Sequence, residues 1–329
     1  PAVRADILIV GQGLAGTLLG WELERAGLAF VIADDGHARA ATRAAAGIVN
    51  PIAGRRLVKS WRIDTLWPAA RALYHEIGDA LGGALWRELR VRRLFADERE
   101  RSALAQKRAS GELAPFAGPG DAEGFWIAPA GGVDLAGLLA GMRMRWQAQD
   151  RMRTGPVRIE EELRQHELVI DCRGLATARE GGFGFVPWEY SRGERLEIAV
   201  AGLEPDVVIN RRHWVLPVGP GAAWVGATHE PGVTEGTPTV AAREALTASL
   251  RSLLKTEFSV TGQRAGVRVH LPDKRPAAGR HPEQAGVGVV NGLGGKGVLW
   301  APFLARQWRE HLTHGTRFDP EIDVRRFAR

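Results

Sequence analysis

Hydrophobic positions crowd together from the start of the chain. Residues 5–10 (ADILIV) form an apolar run that stops at Gly11, the pattern of a strand buried on both faces. Residues 14–26 then place apolar side chains at helical spacing, and Gly27 ends the helix. Residues 28–33 (LAFVIA) are a second strand, closed by Asp34 and Asp35. Strand, helix, strand in that order predicts an α/β fold. Further along, 61–81 reads as a helix, 90–95 as a short strand followed by a helix to 109, and 110–124 as a Gly- and Pro-rich loop. Residues 135–149 are helical and 168–172 (LVIDC) are another buried strand. The texture then changes. Residues 190–200, 207–216 and 222–227 read as antiparallel strands joined by turns. A helix over 239–257, a last buried strand over 286–291, a glycine-rich turn and a helix over 298–312 complete the chain. There is no internal repeat. These elements predict a discontinuous α/β domain of residues 1–50, 130–180 and 262–329. Its insertions, 51–129 and 181–261, form a second, sheet-rich domain.

Composition narrows the class. The 329 residues are 45% hydrophobic and 25% charged, ordinary values for a folded chain of one large domain or two medium ones. The longest run without a full charge, 213–229, is 17 residues and contains two Pro and three Gly. A membrane span needs about 20 apolar residues. The single cysteine, Cys172, excludes an internal disulfide and a Cys-rich metal site, and no metal is expected. A reducing cytoplasm is the expected location, and with an apolar strand this early no signal peptide is expected. The net charge of +6 comes from 39 Arg and only 5 Lys against 38 acidic residues. The Arg residues are scattered, which reads as a solvated surface, with an anionic partner as the other reading.

Candidate chemistry begins at Gly11-Gln-Gly13-Leu14-Ala15-Gly16, between a strand and a helix. Its glycines permit a tight turn, approach of a pyrophosphate to the backbone, and close helix–strand packing. The helix N-terminus adds free N–H groups and a positive dipole end. Asp34 lies 18 residues after Gly16, beside Asp35, where a carboxylate accepts hydrogen bonds from a ribose. This motif alone serves NAD or FAD. A second glycine-rich turn, Asn291-Gly292-Leu293-Gly294-Gly295-Lys296-Gly297-Val298, precedes a helix far from the first. It suits a cofactor with a second end to hold. That points to FAD, with N–H groups and a helix dipole at the pyrimidine edge of the isoalloxazine.

On these residues the sequence resembles the FAD-dependent amine and amino-acid oxidases of the D-amino-acid oxidase type, nearest their glycine-oxidase branch. Thr42-Arg43-Ala-Ala45-Ala46-Gly47-Ile-Val-Asn-Pro51 is similar to the family's small-residue flavin loop. Val169-Ile-Asp-Cys172-Arg-Gly174 is similar to the strand that ends beside the cofactor, and 213–217 and 225–232 resemble parts of the substrate sheet. The stretch Gly266-x-Arg268-x4-Asp273-x2-Pro276-x2-Gly279-Arg-His-Pro-Glu283 is close to residue for residue. The resemblance implies a FAD-binding Rossmann domain of the glutathione-reductase type and an inserted antiparallel-sheet substrate domain. It also implies cofactor contacts at Val157 and Arg268 besides the glycine turns and the flavin loop. No His occupies 43–46, where some relatives tether the flavin, and Cys172 reads as a core residue, so noncovalent FAD is expected.

The departures bear on substrate. Where the glycine-oxidase branch pairs an Arg with the substrate carboxylate, this chain has Gly295, followed by Lys296. Trp214 replaces a Tyr, and His229 an apolar residue facing the flavin. Lys296 instead matches an Arg in the oxidase half of the enzymes that mature the wobble uridine of transfer RNA. Lys296, Trp214 and His229 are the candidate catalytic residues. The stretch Arg55-Arg56-x-x-Lys59-Ser60-Trp61 would suit an anionic substrate or be a solvated helix start. The implied reaction is hydride transfer from the carbon next to an amine nitrogen to the flavin, with dioxygen or another acceptor reoxidising it. Three readings compete: oxidation of a small amine or amino acid, oxidative modification of an RNA base or other large substrate, and a flavoprotein of another reaction type. A second dinucleotide fingerprint is absent, which argues against a pyridine-nucleotide reductase.

Overall fold

The computed structural model describes residues 6–36, 40–180 and 182–328. Two large sheets organise them. The first has six strands in the order Ala277–Arg280, Val287–Asn291, Leu168–Asp171, Ile7–Val10, Phe30–Ala33, Met152–Arg153. All neighbours are parallel except the Ala277–Arg280 edge. The central strands are mainly apolar because both faces are covered, one by the helices Leu14–Arg25 and Gly297–His314 and the other by a cluster that includes Ile159, Phe183, Val186 and Val324: Ile7–Val10 is buried at every position. Helix Leu14–Arg25 turns Leu14, Leu18, Leu19 and Leu23 inward and packs against the long helix Gly297–His314.

The second sheet has ten strands. Its path runs Glu230–Pro231, Glu189–Val200, Ala222–Gly226, Trp214–Gly219, Val207–Asn210, Trp86–Leu94, Gly124–Val133, Ile48–Val49, with Phe258–His270 and Ala117–Gly120 pairing alongside. Pairing is antiparallel except between Val207–Asn210 and Trp86–Leu94. Alternation sorts its faces. Leu196, Ile198 and Val200 join Val215, Val225 and helix Val240–Leu253 in one apolar cluster. The intervening Arg195 and Glu197 face the opposite way, with Trp214 and Trp224.

Several expectations shift. Residues 207–216 are two strands, not one: Arg211 N–H bonds His213 O at 3.1 Å, and the polar Arg-Arg-His triplet makes the turn. The hairpin sets Asn210 beside Trp214. The loop expected over 110–124 carries the strand Ala117–Gly120, which pairs with the next strand. The 13-residue strand Phe258–His270 has no counterpart among the expected elements. The divisions at 129/130 and 261/262 fall inside Gly124–Val133 and Phe258–His270, each held in the large sheet along its length by backbone pairing.

Candidate active site

A cavity of about 570 Å³ runs between the two sheets. At one end Gly11, with φ +97°, turns the chain out of the first strand, and its N–H bonds Ala33 O at 2.8 Å. Gly13 caps the first helix with extended backbone, and Gly13, Leu14 and Ala15 line the cavity. Gly16 lies behind them: a Cβ there would stand 1.9 Å from Gly11 O. Asp34 is buried and accepts from Gln12 N–H at 2.8 Å, from Gly36 N–H at 2.8 Å, and from the guanidinium of Arg143. Asp35, Val157, Cys172 and Gly174 complete this end. Cys172 follows its strand rather than ending it, and burial beside Asp171 pushes its thiol pKa well up.

The middle is the 40–50 loop. Thr42 Oγ1 accepts the Leu14 N–H at 3.2 Å, which brings the loop to the helix start. Ala45, Ala46 and Gly47 line the cavity, and Gly47, at φ +73°, presses against Val133 O. Arg43 is exposed and does not line it.

The far end is the second glycine turn. Gly294 N–H bonds Val269 O at 2.8 Å, which docks the turn on the large sheet. Leu293, Gly294, Gly295, Lys296, Gly297 and Val298 line the cavity, while Gly292 is packed behind against Leu271 and Pro276. Lys296 caps helix Gly297–His314, and its stem borders the cavity. Its ammonium donates to Ser60 Oγ at 2.8 Å and Asn50 O at 3.3 Å. Enclosure by protein lowers its pKa to about 8.

The wall opposite this turn is the large sheet. Arg268 lies against Gly193, where any Cβ would collide with its guanidinium, and donates to Thr228 O at 3.2 Å. Burial lowers its pKa. Neither Arg268 nor Lys296 has an acidic partner among the described residues. Trp214 lies over Gly226, whose missing side chain makes the room. Arg195 donates to Ala44 O at 3.0 Å and Glu197 at 3.2 Å, and stacks 3.8 Å from the Trp224 ring centre.

His229 is the expected site residue that does not fit its place. It is exposed between two strands, 6.5 Å from the His270 ring, and does not line the cavity. Burial, then Arg268 and Lys274, lowers its pKa below 6.5, so it is neutral at pH 7. In the basic stretch, Arg55 pairs with Asp97, and Lys59 bonds Asp64 and Ala114 O, while the buried member, Ser60, reaches Lys296. Arg195 and Asn210 line the cavity without having been singled out. A lone polar residue in a strand or loop carries no periodic signal.

Comparison with known proteins places this geometry. Structures of iminodiacetate oxidase from Chelativorans sp. BNC1 and glycine oxidase from Geobacillus kaustophilus superpose with TM-scores of 0.77 and 0.76. They share 20% and 21% identity with the chain, over 96% of it and 98% and 97% of their own lengths. The tRNA 5-methylaminomethyl-2-thiouridine biosynthesis bifunctional protein MnmC of Maricaulis maris (strain MCS10) is 29% identical over 327 residues, 95% of this chain and 53% of that protein. Its counterpart from Azoarcus sp. (strain BH72) is 25% identical, over 94% and 57%. The chain thus spans about half the length of the curated relatives it matches. The DAO family, FAD dependent oxidoreductase, matches residues 6–309, and the chain belongs to that family of FAD-dependent enzymes.

Proposed function

We propose that the protein oxidises a C–N bond of a small amine or amino acid, with FAD held noncovalently along the cavity. The observation that carries this is a pair of enclosed cations, Arg268 and Lys296, that line the cavity and have no acidic partner among the described residues. Unpaired buried charge is costly, so a site that keeps two cations is built to receive an anion.

The residues fit the cofactor. Side chains are missing where a dinucleotide would press on backbone: Gly174 and Gly295 have open space at the Cβ position, and Gly13 has only Thr42 and Ala40 nearby. Leu14 and Ala15 at the first helix start would meet the pyrophosphate, and Asp34 the ribose. The start of helix Gly297–His314 has no side-chain cap and offers its N–H groups to the pyrimidine edge. Cys172, a buried thiol with a raised pKa, is no nucleophile for a covalent link.

FAD, when bound, supplies the hydride acceptor. The chain does the positioning. Lys296 and Arg268 hold the substrate carboxylate, which moves Arg268 from the cofactor contacts to the substrate side. Trp214 walls the pocket against water, and Arg195 fastens the flavin loop through Ala44. No base on the cavity wall is required when the amine enters neutral, and His229 has no contact role.

A second reading, oxidative modification of an RNA base, is supported by the 29% identity to the tRNA-modifying MnmC protein. One experiment separates them: anaerobic titration of the flavin with primary and secondary amino acids and amines, and with bulk transfer RNA. Bleaching by a small amine supports the first reading. Bleaching by RNA alone, weakened by salt, replaces it with the second.

A further inference from the structure

We propose that Ser60 is a positioning residue for the Lys296 ammonium. Together with the Asn50 carbonyl it holds the lysine protonated and leaves one N–H for the substrate carboxylate. This deepens the amine-oxidation reading and rests on it for the identity of the anion.

The geometry is a cradle of two oxygens. Lys296 Nζ donates to Ser60 Oγ at 2.8 Å and to Asn50 O at 3.3 Å, and Ser60 Oγ donates to the same Asn50 O at 3.2 Å. An ammonium has three donors and no acceptor, so two are used here and one is left over. The Ser60 hydroxyl has a single hydrogen, and Asn50 O takes it. Both atoms that face Nζ therefore present lone pairs. That suits an ammonium and leaves the lone pair of a neutral amine without a donor. Asn50 and Lys296 both line the cavity, so the cradle stands at its wall.

The protonated state needs such support. Burial disfavours the charge and lowers the pKa. Lys296 also stands at the N-terminal end of helix Gly297–His314, where the macrodipole is positive. The ionisable groups on the neighbouring elements, Lys59, Arg62, Tyr74, His270 and Arg268, each have another partner. The two oxygens are what remains to favour the ammonium.

The local fold builds the cradle without depending on it. Asn50 and Ser60 flank the hairpin Ile52–Ala53 and Val58–Lys59, which is closed by Ser60 N–H to Pro51 O at 2.8 Å. Beside Ser60, the Trp61 ring meets Trp300, one helical turn beyond Lys296, with centres 6.2 Å apart. Removing the Ser60 hydroxyl leaves both the backbone closure and this aromatic contact in place.

The test uses flavin-loaded protein with isotope-labelled lysine and follows the magnetic resonance of Lys296 Cε against pH. The chain has only 5 Lys, and the Lys296 signal is the one that Lys296→Met removes. Wild type is expected to titrate at about pH 8. Ser60→Ala should titrate about 1–2 pH units lower, the worth of one hydrogen bond to a charged group, and Ser60→Thr, which keeps the hydroxyl, should titrate as wild type does. Acetate, followed by its perturbation of the flavin absorbance, should bind Ser60→Ala at least about threefold more weakly than wild type near neutral pH, and the gap should narrow as the pH falls. If Ser60→Ala fails to load flavin, Ser60→Cys keeps the volume with a weak acceptor and reads the same shift. A titration unmoved in Ser60→Ala, or moved as far in Ser60→Thr, overturns the role of Ser60 alone. A shifted titration that acetate affinity ignores overturns the carboxylate reading instead.

Discussion

Lys296 holds its charge where only a hydroxyl and a carbonyl answer it. That has two consequences. Lys296→Met keeps the length and removes the charge. If the ammonium holds the substrate anion, the change should cost about 2–4 kcal/mol of transition-state stabilisation, with flavin content little altered. Steady-state kinetics on a substrate found by the titration panel measures it, and unchanged turnover and affinity would count against the role. The second consequence is pH dependence. The folded pKa of about 8 lies below the value of about 10.4 for a free lysine. Between those values the unfolded chain holds a proton that the folded chain has released, so stability rises with pH in that window. Below about pH 8 the folded chain carries the full cost of an enclosed ammonium. The ligand-free apoprotein of Lys296→Met should therefore melt above wild type near pH 7, and the gap should close toward pH 10. A constant gap would mean that the ammonium is not enclosed.

At the scale of elements, the first strand–turn–helix separates two uses of glycine. Gly16 lets the helix approach the strand, because its Cβ position is filled by Gly11 O at 1.9 Å. Gly13 keeps the cavity open, and a Cβ there meets nothing closer than Thr42 Oγ1 at 3.6 Å. Gly16→Ala is therefore expected to destabilise the fold by about 1–3 kcal/mol through overpacking. Gly13→Val should fold nearly as well as wild type and lose FAD. Thermal melts and flavin content together read both, and a fully flavin-loaded Gly13→Val would contradict the pyrophosphate assignment. The same region shows what the sequence discloses. Residues 7–33 were legible because a fully apolar strand, helical spacing and the Gly11–Gly16 pattern agree. Phe258–His270 was not. Its burial is intermediate at most positions, and Gly262 and Gly266 interrupt the alternation where they pack on Glu197 and on Ala44 and Ala41. The turn at 211–213 was hidden because apolar residues flank it on both sides. Asn210 and Arg195 became visible only once the pairing of their strands was known.

For the whole molecule, the surplus of arginine is largely absorbed. Arg62 ties the long helix Ile63–Leu81 to Asp319 and Glu321, and Arg275 joins Glu321 from the loop before strand Ala277–Arg280. Such exposed or half-exposed pairs each contribute little, so they do not decide how the two sheets are held together. One buried apolar cluster takes Ile9 and Ile170 from the first sheet and Val91 and Leu216 from the second, and a cavity also lies between them. Its walls are Gly11–Ala15 and Asp34 from one sheet and Asn210, Trp214, Arg195 and Arg268 from the other, with the 40–50 loop bonded to both through Thr42 and Ala44. A ligand filling that cavity touches both sheets at once, so its binding energy stabilises them as one unit. At a free FAD concentration 100 times Kd, binding to the folded state alone adds about 2.7 kcal/mol. With an unfolding entropy of roughly 2.1 cal/mol/K per residue, 329 residues give about 0.7 kcal/mol/K. The melting temperature should then rise by about 4 °C over the apoprotein, in a single transition. Calorimetry of apoprotein and FAD-loaded protein measures both features. Two transitions, with FAD moving only one, would show that the flavin rests on the Rossmann sheet and that the large sheet holds no part of it.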